Sequence, residues 1–532
     1  MTANSCWSIF SKTVVSFHKF ASIALAGSLA FAGQNASAQS AVQPNIILIV
    51  ADDLGYGDIE PYGQTRIRTP ALSRLAASGT LFTNFYAGSP TCAPSRCTLM
   101  TGRNSGSCPI RTNYKGQLPG AELILPERLQ SAGYVTGIFG KWALGSANTP
   151  TSSQAQGFDY SFGYQDQLEA HQSYPQSLWA SGGHLFTQQF PASGAELGAV
   201  QLGGAVYAPD LILEQSLAFM REEHSKPYFL YFATTVPHAN NENENQGKLE
   251  VSDLGIYENL NWTLPNRQYA SLVTRLDNHV GQLWAAALTD TSRPTILIFT
   301  ADNGPHGIAG VDINFFKSTG GLRDRKASLY EGGIRVPMIV WSNQAEPSVE
   351  DRPGYFPDLN ATILAQAGLA IPADVSGIDL LSREPGSGDD HSLYFEYHTS
   401  GGGQWAVRTG RWKSVSNALS GIGSRILGYV LRLGMGRPDW DPGVELYDLV
   451  ADPDETTDVS AQHPEIVARH EAIAAEQHVR PRLSEEFEMF RRRESIDKFT
   501  LISFGGAVTL LAVALASFGW RRRRRNRNLA AA

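Results

Sequence analysis

The apolar positions of the chain fall into two recurring kinds of segment. Asn45–Val50 reads Asn-Ile-Ile-Leu-Ile-Val, a short continuous β-branched run bounded by Pro44 and Asp52. Such a run predicts a strand buried on both faces. Tyr228–Phe232 and Thr295–Thr300 repeat the type. Between them lie helical stretches at Pro70–Ser78, Leu123–Ala132 and Tyr269–Leu288, the last with apolar residues at helix spacing. This alternation predicts an α/β fold with a large, mostly parallel central sheet flanked by helices. Ligand sites in such sheets form at the carboxyl ends of strands. The chain places polar clusters there: Asp52-Asp53 after one strand, His238 after another, Asp302-Asn303 after a third.

A Gly/Ser/Asp-rich break at Pro385–Asp390 marks a boundary between a unit over 43–385 and one over 386–479. In the second, Leu393–Glu396, Trp405–Arg408, Trp412–Ser416 and Leu446–Leu449 are short strand candidates, followed by a helix over Pro464–Gln477. They predict a smaller subdomain of antiparallel sheet plus helix. Ser416–Gly443 is an insert with apolar residues partly at helical spacing, read as a packing or membrane-facing helix.

Both ends carry targeting patterns. Lys12 and Lys19 precede the apolar run Phe20–Gly33, and Ala36-Ser-Ala38 fits a cleavage site, so 1–38 is expected to be an export signal. A charged linker over 480–498 leads to Phe499–Trp520, which holds no charged residue and meets the ~20-residue span requirement. Arg521–Arg525 open the basic tail 521–532, an arrangement that keeps this end cytoplasmic and the body outside. A periplasmic or cell-surface protein anchored by its C-terminal helix is expected; a cleaved bacterial sorting tail has the same layout.

Length and charge narrow the picture further. At 532 residues the chain exceeds one ordinary core. The formal charge of −8 conceals a more acidic body, since six Arg lie in 521–532 and two Lys in the first 38 residues, without an acid in either segment. Such a body is a poor nucleic-acid binder, so an anionic ligand must be held by a local cationic pocket. The four cysteines (Cys6, Cys92, Cys97, Cys108) are too few for a disulfide-dense scaffold. Cys97 and Cys108 either pair or remain buried thiols.

The richest segment is Cys92-Ala-Pro-Ser-Arg-Cys-Thr-Leu-Met-Thr-Gly-Arg103. Pro94 suits a first helical position, so Cys92 is expected at a helix mouth, where free amides and the dipole favour an anion. Arg96 adds a planar cation able to fork onto an oxyanion. Asp52, Asp53, Asp302 and Asn303 form a hard-oxygen set that favours Ca²⁺ or Mg²⁺ over zinc.

The twelve residues match at every fixed position a pattern that resembles the sulfatase signature C-x-P-S-R-x-x-x-x-T-G-R. A second family segment follows at Gly133–Trp142, and further similarity extends from Asn45 to about Trp341, with weaker matches to Gln477. The resemblance implies an alkaline-phosphatase-like fold and a formylglycine-dependent sulfatase of arylsulfatase type. It implies that Cys92 is the modified residue, oxidised to formylglycine (3-oxoalanine) by a formylglycine-generating or anaerobic sulfatase-maturing enzyme. It makes Asp52, Asp53, Asp302 and Asn303 the Ca²⁺ ligands, with Mg²⁺ the second choice. Lys141, His238 and Lys326 are then catalytic and substrate-binding, with Arg96 beside them. The implied reaction is attack of the hydrated aldehyde on sulfur, with His238 or Lys326 protonating the departing alcohol and sulfate eliminated afterwards.

One departure stands out. Many sulfatases carry His after the Gly-Lys-Trp of the second segment, where this chain has Ala143. His171 is the candidate substitute, as a catalytic or substrate-binding residue; packing is the alternative. Trp179, Trp405 and the Gly401–Gly403 loop are candidate sugar platforms. The expected substrate is a sulfated polysaccharide or glycosaminoglycan fragment, or an aryl sulfate. Competing readings are a phosphatase or phosphodiesterase of the same superfamily and a catalytically silent glycan-binding protein.

Overall fold

The structure, a computed structural model, describes residues 42–113, 116–182, 197–222, 224–242, 248–382, 391–399, 402–416 and 443–479. The expected export signal, the Pro385–Asp390 break, nearly all of the Ser416–Gly443 insert, the charged linker, the apolar segment 499–520 and the basic tail lie outside these residues. Among the described residues no helix is long and apolar enough to cross a membrane.

In chain order the strands of the main body are β1 (Asn45–Ala51), β2 (Thr80–Phe82), β3 (Phe85–Tyr86), β4 (Val135–Lys141), β5 (Tyr160–Tyr164), β6 (Ser177–Ser181), β7 (Gly198–Gln201), β8 (Tyr228–Ala233), β9 (Thr295–Ala301), β10 (Met338–Ser342), β11 (Ser348–Glu350) and β12 (Gly354–Tyr355). A ten-stranded sheet runs β11-β2-β10-β9-β1-β8-β4-β5-β6-β7, and β3 pairs with β12 separately. The central five strands, β9 to β5 in that order, are parallel. β10, β6 and β7 pair antiparallel with their inner neighbours. β1, β8 and β9 are buried at every residue, which is why their sequences are continuous apolar runs and do not alternate.

The principal helices are α1 (Pro70–Ala77), α2 (Cys92–Thr101), α3 (Leu125–Ser131), α4 (Ala208–Arg221) and α5 (Leu264–Thr289). α5 starts five residues before the predicted boundary because Thr263 caps it, its side chain accepting from the Asn266 amide at 3.4 Å, with Pro265 in the first turn. In α2, Pro94 occupies the third helical position and not the expected first. The first four amides of a helix have no intrahelical partner, so proline is tolerated there as well.

The second sheet has four antiparallel strands, β13 (Ser392–Thr399), β14 (Gly402–Thr409), β15 (Trp412–Ser416) and β16 (Val444–Asp448), in that order. The helix Pro464–Gln477 packs on it, as expected. Trp405 is buried in that contact with Tyr394, Val407 and Ala474, so it is a core residue and cannot serve as a sugar platform.

Register brings the polar clusters together. Ala51 of β1 lies opposite Ala301 of β9, Val50 opposite Ala233 of β8, and Ala233 opposite Gly140 of β4. Asp52-Asp53, Asp302-Asn303, Lys141 and the Thr234–His238 turn therefore emerge at one carboxyl edge. Gly140 is required there: at φ 116° a Cβ would lie 2.0 Å from the Ala233 carbonyl oxygen.

Candidate active site

The signature segment divides its residues between chemistry and helix construction. α2 is buried along its whole length. Asn113 Oδ1 accepts from the Ala93 amide (2.9 Å) at its start, a partner the sequence reading did not single out. Ser95 Oγ accepts from the Gly88 amide (3.1 Å), and Thr101 Oγ1 donates to the Cys97 carbonyl (2.8 Å). Gly102 closes the helix in the left-handed region at φ 72°. Arg103 pairs with Glu122 at 2.8 Å. A disulfide joins Cys97 to Cys108, resolving the open alternative for these two residues.

Cys92, at the first position of α2, is fully buried at the sheet edge. Its Sγ lies 3.4 Å from Asp52 Oδ1, 3.9 Å from Asp53 Oδ1 and 3.4 Å from Lys326 Nζ. Burial pushes the thiol pKa up against the pull of Lys141 and Lys326, so the unconverted residue stays protonated and a poor nucleophile.

Three carboxylates and three fixed cations surround this point. Lys141 Nζ donates to Asp52 Oδ2 at 2.7 Å. Arg96 forks onto Asp302 Oδ2 through Nε (3.0 Å) and Nη2 (2.8 Å), and its Nη1 donates to Tyr231 Oη at 3.1 Å. Lys326 Nζ lies 2.5 Å from Asp53 Oδ1. Asp53 holds a left-handed φ of 65°, uncommon outside glycine, fixed by its amide on Asp302 Oδ1 (3.2 Å) and by Asn303 Nδ2 on its own Oδ1 (2.7 Å).

Burial opposes ionisation of Asp52 and Asp53. The Lys141 ammonium for the first and the Lys326 ammonium for the second outweigh it and hold each well below the usual carboxylate range. Asp302 moves the other way, up to about 7, through burial and the neighbouring charges of Asp52 and Asp53. Burial also works against Lys326, but Asp53, Cys92 and Asp52 overcome it and keep the ammonium charged.

The donor set fits a hard divalent cation. Asp53 Oδ2 and Asn303 Oδ1 are buried and accept no hydrogen bond among the described residues, and three mutually repelling carboxylates converge without solvent. Asp52, Asp53, Cys92 and His238 form the group whose ligand atoms lie within 4.8 Å of one another. Asp302 and Asn303, the other expected ligands, border it: Asp302 is engaged by Arg96, Asn303 by Asp53.

His238 Nε2 is 3.4 Å from both Asp53 Oδ2 and Lys326 Nζ. Its ring stacks on that of His171, centroids 4.4 Å apart. Burial pushes each imidazole pKa down to about 3, so both are neutral near pH 7. His171 is held by Glu242, with Nδ1 2.7 Å from Oε1, and by Gln167 Nε2 at 3.2 Å from Nε2. It thus joins the expected cluster, and Ala143, in a left-handed conformation (φ 61°), lines an adjacent cavity of about 220 Å³. Tyr231, Glu242 and buried His306, whose ring packs on Tyr269 near His238, were missed by sequence reasoning. Only His306 had a local signal, as the end of Asp302-Asn-Gly-Pro-His.

Comparison with known proteins identifies the family. A family model described as Sulfatase matches residues 44–369. The chain is 32% identical over 371 residues to N-acetylgalactosamine-6-sulfatase of Rattus norvegicus, covering 64% of this chain and 65% of that one. It is 29% identical over 504 residues to the N-acetylgalactosamine-6-O-sulfatase of Bacteroides thetaiotaomicron, covering 82% and 93% respectively. The crystal structure of the protein designated Ps i-CgsB superposes with TM-score 0.64 at 24% identity, over 85% of this chain and 98% of the other, a likeness of fold. With the Sulfatase model spanning more than half of its length, the chain belongs to the sulfatase family of the alkaline phosphatase superfamily.

Proposed function

We propose that the protein hydrolyses sulfate esters of carbohydrates outside the cytoplasm, using residue 92 as formylglycine and a bound Ca²⁺. The observation that carries the reading is the position of Cys92: buried at the mouth of α2, within 3.4 Å of both the Asp52 carboxylate and the Lys326 ammonium. Converted to formylglycine, this residue supplies a hydrated aldehyde oxygen as nucleophile. A Ca²⁺ held by Asp52, Asp53, Asp302 and Asn303 supplies electrostatic stabilisation of a bound sulfate.

The chain's own residues do the rest. Lys141 and Lys326 stand where the non-bridging oxygens of a sulfate monoester need cations. The ester S–O bond breaks, its electron pair stays on the alcohol oxygen, and that oxygen needs a proton. Of the two expected donors, Lys326 remains charged, whereas neutral His238 is placed to accept from it at 3.4 Å. Arg96 fixes Asp302 and braces the edge from below. Overall, water and the sulfate ester become alcohol and sulfate.

Export is supported by the Cys97–Cys108 disulfide, a bond typical of oxidising compartments, and by the N-terminal pattern. The names of the rat and bacterial relatives point to a sulfated amino sugar within the expected polysaccharide or glycosaminoglycan class. A panel of aryl sulfates and aryl phosphates, with and without Ca²⁺, tests the reaction. Ca²⁺-dependent sulfate release is expected; preferential phosphate release would replace this reading with the phosphatase one.

A further inference from the structure

We infer that the space beside His171 is a glycan subsite that selects an uncharged, hydrogen-donating sugar next to the sulfated one and rejects a second anionic group. The inference rests on the sulfatase reading and narrows its substrate class.

Two cavities, of about 470 and 220 Å³, share Ser146 and Asp166 in their walls. The larger falls in the ~300–1,000 Å³ range of small-molecule sites. Its described lining includes Asp166, Glu169 and Glu242 but no lysine or arginine. Half-buried Trp179 on β6 contributes a ring to the same wall, an apolar surface suited to the C–H face of a pyranose. The cavity is tied to the reaction centre through contacts already given: Glu242 holds His171, His171 stacks on His238, and His238 adjoins Lys326. The cavity thus connects, through Glu242 and His171, to the His238–Lys326 pair assigned to protonation of the alcohol.

Gln167 is an independent pointer. The residue is 7% exposed, lines the smaller cavity, and its Oε1 accepts no hydrogen bond among the described residues. The Glu242 carboxylate makes His171 Nδ1 the donor, so neutral His171 accepts at Nε2, and Gln167 must turn its amide nitrogen there. Oε1 is left buried and without a partner among the described residues, on a side chain that lines the smaller cavity, so a donor entering that cavity can satisfy it. Sugar hydroxyls and acetamido N–H groups suit this acceptor and the three carboxylates. A uronate or second sulfate meets like charge with no counter-cation among the described lining residues.

The test is competition against aryl sulfate hydrolysis by the matured full-length enzyme. The competitors are N-acetylgalactosamine 6-sulfate joined to galactose and the same unit joined to glucuronic acid. The neutral conjugate should inhibit about fivefold more tightly, the size of one close like-charge contact in water. Asp166→Asn combined with Glu169→Gln should bring the ratio toward one, as should raised salt. Equal inhibition, preference for the uronate conjugate, or no inhibition by either would overturn the inference. If no aryl sulfate is hydrolysed, the sulfatase reading fails separately, and calorimetric binding of the two conjugates still decides the subsite.

Discussion

Cys92, Lys326 and Asp302 each make a distinct prediction. Cys92→Ser keeps a side chain of similar size at the head of α2 but removes the thiol needed for conversion; the fold should persist while multiple turnover is lost, read by circular dichroism beside a sulfate-release assay. Lys326→Ala removes an ammonium 3.4 Å from the Cys92 sulfur, and kcat should fall about 10²–10⁴-fold, the range for a general acid. Asp302→Ala strips the fully buried Arg96 of its forked carboxylate and leaves it the longer 3.9 Å contact to Asp52. Breaking a buried ion pair costs up to roughly 3–5 kcal/mol, so this variant should melt earlier and lose Ca²⁺ affinity together. Normal Ca²⁺ dependence in Asp302→Ala would contradict its place at the metal edge. Eight of the ten candidate site residues were legible because they follow a strand end or sit in a signature, whereas Lys326 and His171 came from the family resemblance. Glu242 and Gln167 were not legible, because nothing local distinguishes a polar loop residue that holds a histidine from one in water.

At the scale of elements, the buried strands were readable because parallel sheets demand unbroken apolar runs. Helix boundaries were less so: α5 begins early through a Thr263 cap and Pro265 that a periodicity reading overlooks. Trp405 shows the converse error, since an aromatic at a strand position serves a core as well as a surface, and only the packing of Pro464–Gln477 decides. The disulfide staples α2 to the loop behind it, across a sequence separation of 11. Replacing Cys97 and Cys108 together by serine should cost about 3 kcal/mol by loop-closure entropy. The readout is a lowered melting temperature, and no change would show that packing alone holds this loop.

The whole molecule carries a pH signature from its buried acids. Burial lifts the Asp58 carboxyl to about 7, against the opposing hydrogen bonds it accepts from Ser318, Tyr269 and the Gly55 amide. A folded-state value raised above the unfolded ~3.9 contributes stability that is complete below that pH and lost as pH rises through 7, up to about 4 kcal/mol. Asp277, raised to about 6 by burial, works in the same direction. Asp58→Asn cannot ionise, so the fall in melting temperature between pH 5 and pH 8 should flatten in that variant; an unchanged slope would remove Asp58 from the account. The account as a whole turns on the chemical identity of residue 92. Mass spectrometry of the peptide spanning it, from protein made in a host with a maturing enzyme, is the most direct test. The expected result is the mass of an aldehyde that a hydrazide reagent labels; an intact thiol in a preparation that turns over sulfate esters would contradict it.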